Sequence, residues 1–149
     1  MKIAIGSDHA GFELKNYLQI ELKKLGFDMI NCGVDDCVSS DYPDYAKKIC
    51  DKVINKEAVL GIAVCGTGVG ISIAANKIRG IRAALCDTEY TAKMSRLHND
   101  ANVLALGGRV IGKGLALEIA KVFLNTAFSN EERHQRRINK TMNLEDEKK

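Results

Sequence analysis

Aromatic residues and proline are scarce in this sequence. It has no tryptophan and one proline, and only 5% of its residues are aromatic. Proteins that bind single-stranded nucleic acid stack the bases on aromatic rings, and a net charge of +3 is too small to argue for nucleic acid or a membrane surface by itself. We therefore expect a protein that does not bind nucleic acid.

Long apolar runs are missing as well. No stretch approaches the roughly 18 apolar residues of a membrane-spanning helix. The first residues, KIAI at 2–5, are typical of a strand and not of an export signal. We therefore expect a cytoplasmic protein that makes no membrane contact.

Paired cysteine motifs are also absent. The five cysteines are odd in number and none of them forms a C-x-x-C pair, which argues against a zinc site and against a disulfide framework. Reduced thiols in a reducing compartment are the simplest interpretation, and we expect no bound metal. Four of them are interpreted as small buried apolar residues, namely Cys32, Cys37, Cys50 and Cys86. Cys65 is interpreted differently because a glycine-rich stretch follows it.

The remaining composition is that of a globular domain, with 46% apolar and 28% charged residues in a chain of 149. We predict one domain over residues 1–149. Short apolar runs alternate five times with stretches of helical spacing, which predicts an α/β fold with a doubly wound, open parallel sheet of five strands in a three-layer, Rossmann- or flavodoxin-like arrangement. From about residue 130 to 149 the chain is charged and poor in apolar residues, so we predict a C-terminal arm or short helix there.

The strongest local signal is residues 59–76, VLGIAVCGTGVGISIAAN. An apolar strand runs into Cys65, a glycine-rich turn follows, and the stretch after it predicts a helix. Glycines let a ligand approach the main chain closely, and the first N–H groups of a helix bind anions. No lysine follows as in a Walker A loop, and the last glycine of a dinucleotide motif would fall on Ile71, so a nucleotide site is the weaker alternative.

Topology predicts which loops accompany this turn. In a doubly wound sheet, ligands bind at the carboxyl ends of the strands, where the winding direction reverses. For the common strand order 2-1-3-4-5 that point lies between strands 1 and 3, whose loops carry Asp8, His9 and Cys65. The positive end of a helix dipole favours a thiolate, which can act as nucleophile or general base. We therefore predict a carboxylate, an imidazole and a thiol in one crevice.

These residues also have structural interpretations. Asp8 is suited to a helix N-cap, and His98 is suited to a helix C-terminus, where an imidazolium interacts favourably with the dipole. Arginines 133, 136 and 137 fit a solvated face, but they also fit bidentate contacts to a phosphate. Arg109 follows the fifth strand on the crevice side. Together with the glycine turn, this set fits a small phosphorylated substrate.

The chain resembles the type B ribose-5-phosphate isomerases, a family that includes allose- and galactose-6-phosphate isomerases. The resemblance is carried in order by IGSDHAG at 5–11, DYP at 41–43, CGTGVGISIAANK at 65–77, SRLHND at 95–100, NVL at 102–104, GGRV at 107–110 and RHQRR at 133–137. It implies interconversion of ribose 5-phosphate and ribulose 5-phosphate through a cis-enediol, without a metal or other cofactor.

The resemblance also implies individual roles. Asp8 and His98 would assist opening of the sugar ring, and Cys65 would be the general base that moves a proton between C2 and C1. Thr67 and the N–H groups of the turn would hold the enediolate oxygens. The substrate-binding residues would be Gly66, Gly68 and Gly70 in the turn, Tyr42 and Asn99 at the sugar, and His9, Arg109, Arg133 and Arg137 at the phosphate.

The family builds its site across a homodimer, in which the partner subunit supplies His98 and the arm arginines; a tetramer is a further expected assembly. Some members use a glutamate after the turn as base, where this chain has Ala74 and Ala75. Galactose-6-phosphate relatives lack the histidine at the position of His98, so its presence favours ribose 5-phosphate. A six-carbon aldose phosphate isomerase, a non-catalytic sugar-phosphate binding module and an enzyme with a cysteine nucleophile are the alternatives.

Overall fold

The computed structural model of the protein describes residues 1–36 and 38–146. Cys37, one of the cysteines predicted to be buried, lies outside the described residues. The strands are β1 (Lys2–Ser7), β2 (Asp28–Asn31), β3 (Leu60–Cys65), β4 (Ala83–Leu85) and β5 (Val103–Gly107). The helices are α1 (Phe12–Lys24), α2 (Tyr42–Ile54), α3 (Val69–Ala75), α4 (Glu89–Asn99), α5 (Lys113–Asn125) and α6 (Glu132–Asn143), and a short 3-10 helix (His9–Gly11) precedes α1.

All five strands pair in parallel, which confirms the predicted sheet. Their order is β2-β1-β3-β5-β4, so it differs from the common order 2-1-3-4-5 at one edge. The reason is burial. Every residue of β5 is buried, as expected of a strand covered on both sides, whereas β4 has three residues that are all partly exposed. β5 therefore pairs with β3, and β4 forms the edge.

Helices cover both faces of the sheet. Because side chains alternate along a strand, Ile3 and Ile5 pack with α1 and α5 on one face, while Ala4 packs with α2 and α3 on the other. On the first face Leu14, Leu18 and Leu22 of α1 are buried at the spacing of helical turns. The predicted three-layer arrangement is confirmed.

The ends of the helices follow the predicted signals. The helix after β1 stops before Gly26, which has a φ of +89° that favours glycine. Pro43 lies in the first turn of α2, where a missing N–H costs nothing. The charged C-terminal segment forms α6, which packs on α4 and buries only His134 and Ile138. Among the described residues, no helix is long and apolar enough to cross a membrane.

Candidate active site

Two loops diverge at the carboxyl edge of the sheet. β1 and β3 are neighbours, with Ser7 opposite Val64. The chain leaves β1 toward α1 on one face and leaves β3 toward α3 on the other, which opens a crevice between the two loops. The N–H of Asp8 donates to the carbonyl oxygen of Val64 at 3.3 Å, so Asp8 lies directly beside the end of β3. The predicted meeting of the Asp8 and Cys65 loops is confirmed.

The thiol of Cys65 is enclosed and hydrogen-bonded. Cys65 is 4% exposed, and its Sγ accepts a hydrogen bond from the N–H of Gly68 at 3.1 Å. Gly68 has a φ of +78°, and a Cβ there would lie 2.5 Å from Leu85 Cδ1 and 2.8 Å from the carbonyl carbon of Leu106. Only glycine fits this position, and its N–H is aimed at the sulfur. A backbone N–H interacts more strongly with a thiolate than with a thiol.

The turn after Cys65 presents free donors. The hydroxyl Oγ1 of Thr67 accepts a hydrogen bond from the N–H of Val69 at 3.3 Å. The N–H groups of Gly66, Thr67 and Gly70 have no acceptor within residues 1–36 and 38–146. Unpaired N–H groups at the start of a helix attract negative charge. The turn therefore offers several fixed donors next to a thiol.

Tyr42 and Arg109 border the turn at Gly70 and at Gly66. A Cβ at Gly70 would lie 2.8 Å from the Tyr42 ring, so this ring packs directly on the backbone at Gly70. Arg109 follows β5; its N–H donates to the carbonyl oxygen of Gly66 at 2.9 Å, and its guanidinium lies 3.7 Å from where a Cβ at Gly66 would be. The pairing of β5 with β3 brings Arg109 to the crevice.

Asp8 serves as a cap and still keeps one free oxygen. Its Oδ1 accepts hydrogen bonds from the N–H groups of Ala10 and Gly11, both at 3.0 Å, so the N-cap interpretation is correct. The side chain is 5% exposed, and within the described part of the chain Oδ2 accepts no hydrogen bond. One oxygen is therefore structural, and the other has no donor among the described residues.

His9 is held by Ser40, a residue that the sequence analysis missed. The N–H of His9 donates to Ser40 Oγ at 3.2 Å, and the N–H of Ser40 donates to His9 Nδ1 at 3.1 Å. Because Nδ1 accepts a hydrogen bond, a neutral His9 ring carries its proton on Nε2. Its Nε2–H has no acceptor among the described residues.

Four predicted site residues lie elsewhere in this chain: His98, Asn99, Arg133 and Arg137. Since α4 connects two parallel strands, it runs antiparallel to them, and its C-terminal end lies at the amino edge of the sheet, opposite Cys65. α6 packs on α4, and the rings of His98 and His134 are in contact. A single chain therefore leaves the crevice without these four side chains.

A cavity of about 650 Å³ opens at this amino edge. Asn99 and Arg137 line it together with Arg82, whose guanidinium forms an ion pair with Asp100 at 3.1 Å. Cys65 does not line it. The predicted residues thus form two groups, one at the crevice and one beside this cavity.

Known proteins identify the fold and the family. The model of the family described as Ribose/Galactose Isomerase matches residues 3–141. The chain belongs to this family. The predicted resemblance to the type B ribose-5-phosphate isomerases is therefore confirmed.

Individual relatives cover nearly the whole chain of this isomerase family member. Ribose-5-phosphate isomerase B of Escherichia coli is 47% identical over 92% of this chain and 91% of its own. The structure of Clostridium thermocellum ribose-5-phosphate isomerase B has a TM-score of 0.97 at 49% identity, with 100% of both chains covered. That of Mycoplasma genitalium ribose-5-phosphate isomerase B with bound ribulose-5-phosphate has a TM-score of 0.91 at 42% identity, covering 98% of this chain and 97% of that one.

Three other cysteines of this isomerase are buried thiols with raised pKa values. Burial raises the pKa of Cys50 to about 12, with a smaller contribution from Asp51. Burial also raises the pKa values of Cys32 and Cys86. These three thiols stay protonated at neutral pH and are poor nucleophiles. Their interpretation as buried apolar residues is confirmed.

Proposed function

We propose that this protein interconverts ribose 5-phosphate and ribulose 5-phosphate through a cis-enediol, with Cys65 as the general base. The observation that carries the proposal is the thiol of Cys65, enclosed beside a turn in which the N–H groups of Gly66, Thr67 and Gly70 have no acceptor among the described residues. An aldose–ketose isomerisation needs one base near C1 and C2 and donors near O1 and O2. The crevice contains both.

The proton transfer follows from this arrangement. The Cys65 thiolate removes the proton from C2 of the open-chain aldose, and negative charge develops on O1 as the C1–C2 double bond forms. A proton passes from O2 to O1, the thiol returns a proton to C1, and the carbonyl forms at C2. The N–H groups of Gly66 and Gly70 and the Thr67 hydroxyl stabilise the enediolate. Removing one such donor typically lowers kcat by about 10²–10³.

The same chain supplies two groups for the phosphate and one for the ring. Arg109 offers a planar guanidinium suited to phosphate oxygens. His9, held by Ser40, offers its Nε2–H. The free Oδ2 of Asp8 accepts a hydroxyl proton when the sugar ring opens. Each of these groups borders the glycine turn or the loop beside it.

We further propose that a second copy of the chain completes the site with His98, Asn99, Arg133 and Arg137. The separation of these residues from their own crevice supports a shared site. So do two apolar side chains of α3 next to the turn, Val69 and Ile73, which are 48% and 55% exposed. Neighbouring exposed apolar side chains are typical of a surface that binds another protein.

The deciding experiment is NMR of ribose 5-phosphate with the purified protein in D2O containing EDTA. We expect ribulose 5-phosphate with deuterium at C1, since the thiol exchanges its proton with solvent between the two transfers. Absence of product would refute the proposal. Allose 6-phosphate and galactose 6-phosphate, assayed in the same way, test the six-carbon alternative that the family's galactose isomerases raise.

Cys65→Ala distinguishes an isomerase from a binding module. General acid–base catalysis typically contributes about 10²–10⁴-fold, so we expect at least a hundredfold loss of kcat and little change in the affinity for ribose 5-phosphate. A binding module would behave as the wild type does. Cys86→Ala is the control, because its thiol is buried away from the crevice.

We also propose that the enzyme works in the cytoplasm. The four described cysteines, Cys32, Cys50, Cys65 and Cys86, are all free thiols, and this supports a reducing compartment.

A further inference from the structure

Two imidazole rings are stacked at the end of α4. The ring centroids of His98 and His134 are 4.3 Å apart, and the ring planes are inclined by 38°. Within residues 1–36 and 38–146, neither ring nitrogen of His98 makes a hydrogen bond. A histidine side chain has two rotatable bonds, and contact with the His134 ring can restrict rotation of the His98 ring about them.

His134 is itself held in place. It is 3% exposed, and its Nδ1 lies 2.9 Å from the hydroxyl of Ser129. The N–H of Ser129 donates to the carbonyl oxygen of Leu97, the residue before His98, at 3.2 Å. The support for the His134 ring is therefore tied directly to the backbone that carries His98.

The backbone at the end of α4 is fixed from the other side as well. The guanidinium of Arg96 donates to the carbonyl oxygens of Thr126 at 3.1 Å and Ala101 at 2.7 Å, and it pairs with Asp100 at 2.7 Å. The position of the His98 Cα is thus determined by helix ends and loops. The contact with His134 can then affect only the rotation of the His98 ring.

We propose that His134 is a positioning residue: its ring holds the His98 imidazole in the orientation that opens the sugar ring. This inference rests on the proposed isomerase function. His134 acts through His98 and does not contact the substrate. It lies between Arg133 and Arg137 on α6, so the same helix that offers arginines for the phosphate also orients the imidazole.

Burial and the neighbouring positive charges favour a neutral His134. Burial lowers the pKa of His134, the positive charges of His98, Arg133 and Arg137 lower it further, and Glu131 opposes them. Two imidazolium rings at this distance would repel each other. A neutral His134 lets the stack persist while His98 gains or loses a proton.

A purely structural role is the competing explanation. His134 and Ile138 are the two buried residues of α6, one helical turn apart, so both anchor this helix on the rest of the chain. If anchoring were the only role, Ile138→Ala and His134→Ala would have the same effect on catalysis. The two explanations differ in which step of the reaction is slowed.

Ribulose 5-phosphate allows proton transfer to be measured separately from ring opening. Its C5 oxygen carries the phosphate, so it cannot close a furanose ring, and exchange of its C1 hydrogen with D2O requires proton transfer alone. Conversion of ribose 5-phosphate requires ring opening first. The ratio of conversion to C1 exchange, both measured by NMR on the full-length protein, therefore reports on ring opening.

We expect His134→Ala to lower this ratio by about tenfold to a hundredfold, the range that misplaced catalytic groups produce. His134→Phe keeps a ring in the stack and should restore most of the ratio. Ile138→Ala should lower both rates in proportion. Gln135→Ala is the control, because among the described residues its side chain bonds only to Asn139 on the same exposed face. Ser129→Ala keeps both rings and should lower the ratio a few-fold, which provides a second test if His134→Ala does not fold.

An unchanged ratio in folded His134→Ala would overturn the proposal. So would an equal drop in Ile138→Ala, a failure of His134→Phe to restore the ratio, or, where His134→Ala does not fold, an unchanged ratio in Ser129→Ala. A wild-type protein that converts no ribose 5-phosphate would refute the proposed function instead. The two failures are therefore distinguishable.

Discussion

Gly68 is where the backbone conformation and the proposed chemistry depend most directly on one residue. An alanine there would adopt a φ of +78°, which costs about 1–2 kcal/mol for an L-residue. Its Cβ would also lie 2.8 Å from the carbonyl carbon of Leu106 and 3.0 Å from the nitrogen of Gly107. These atoms are backbone and cannot rotate away, so we add about 1–3 kcal/mol for overpacking.

The expected destabilisation by Gly68→Ala is therefore roughly 2–5 kcal/mol. For a chain of this size each kcal/mol lowers the Tm by about 2–4 °C, so thermal unfolding followed by circular dichroism should show a drop of roughly 4–20 °C. Because the N–H groups of Gly66 and Gly70, the proposed enediolate donors, lie in the same turn and would move with it, we expect kcat to fall by about 10²–10³.

Substitutions at two other glycines help to separate the cost of backbone strain from the cost of overpacking. Gly26 has a φ of +89° with no atom within 4 Å of its Cβ position, so Gly26→Ala measures backbone strain alone, about 1–2 kcal/mol. Gly114 lies in the first turn of α5, also in open space, and Gly114→Ala should stabilise the protein by about 0.4–1 kcal/mol by reducing the entropy of the unfolded chain. Two results together would refute this account of the turn. Gly68→Ala would lose no more stability than Gly26→Ala, and its kcat would stay within about threefold of the wild-type value, a smaller loss than removal of one oxyanion donor causes.

Four further predictions concern single side chains. Iodoacetamide should inactivate the enzyme by modifying Cys65, with protection by substrate, and mass spectrometry should find Cys50 unmodified because burial raises its pKa to about 12. Arg137→Ala should mainly raise KM for ribose 5-phosphate, and an unchanged KM would exclude phosphate contact. His98→Asn should slow conversion of ribose 5-phosphate more than C1 exchange of ribulose 5-phosphate; equal losses would contradict a ring-opening role. Burial lowers the pKa of His134 below its ordinary 6.5, so the unfolded chain binds a proton at this histidine at a higher pH than the folded protein does. The free energy of unfolding should therefore fall as the pH drops below about 6.5. If His134→Phe does not show this fall, the pH dependence is due to His134.

Local patterns were enough to predict the elements of the fold. The leucines of α1 recur at helical spacing and end at Gly26, and a buried strand before three closely spaced glycines predicted the turn at Cys65. Both signals depend on residues that are neighbours in the chain. They therefore also predicted that Asp8 would reach Cys65, since the loops of adjacent parallel strands meet at one edge.

The order of the last two strands was not predictable in the same way. β4 and β5 are both short and apolar, and their order depends on which is covered on both faces once the helices have packed. That order decides the position of Arg109. With β5 next to β3, the N–H of Arg109 bonds to Gly66 directly, a contact that no sequence pattern indicates.

The environments of the two histidines depend on contacts that are distant in sequence. Ser40 bonds to His9 across 31 positions, and His134 stacks on His98 from a different helix. His9 has an N–H donor fixed at Nδ1 and so presents one defined proton, as a phosphate ligand needs. His98 has no such partner among the described residues and keeps both nitrogens free, as a group that passes protons to and from a sugar needs. We therefore propose that Ser40 and His134 distinguish a phosphate-binding His9 from a proton-transferring His98.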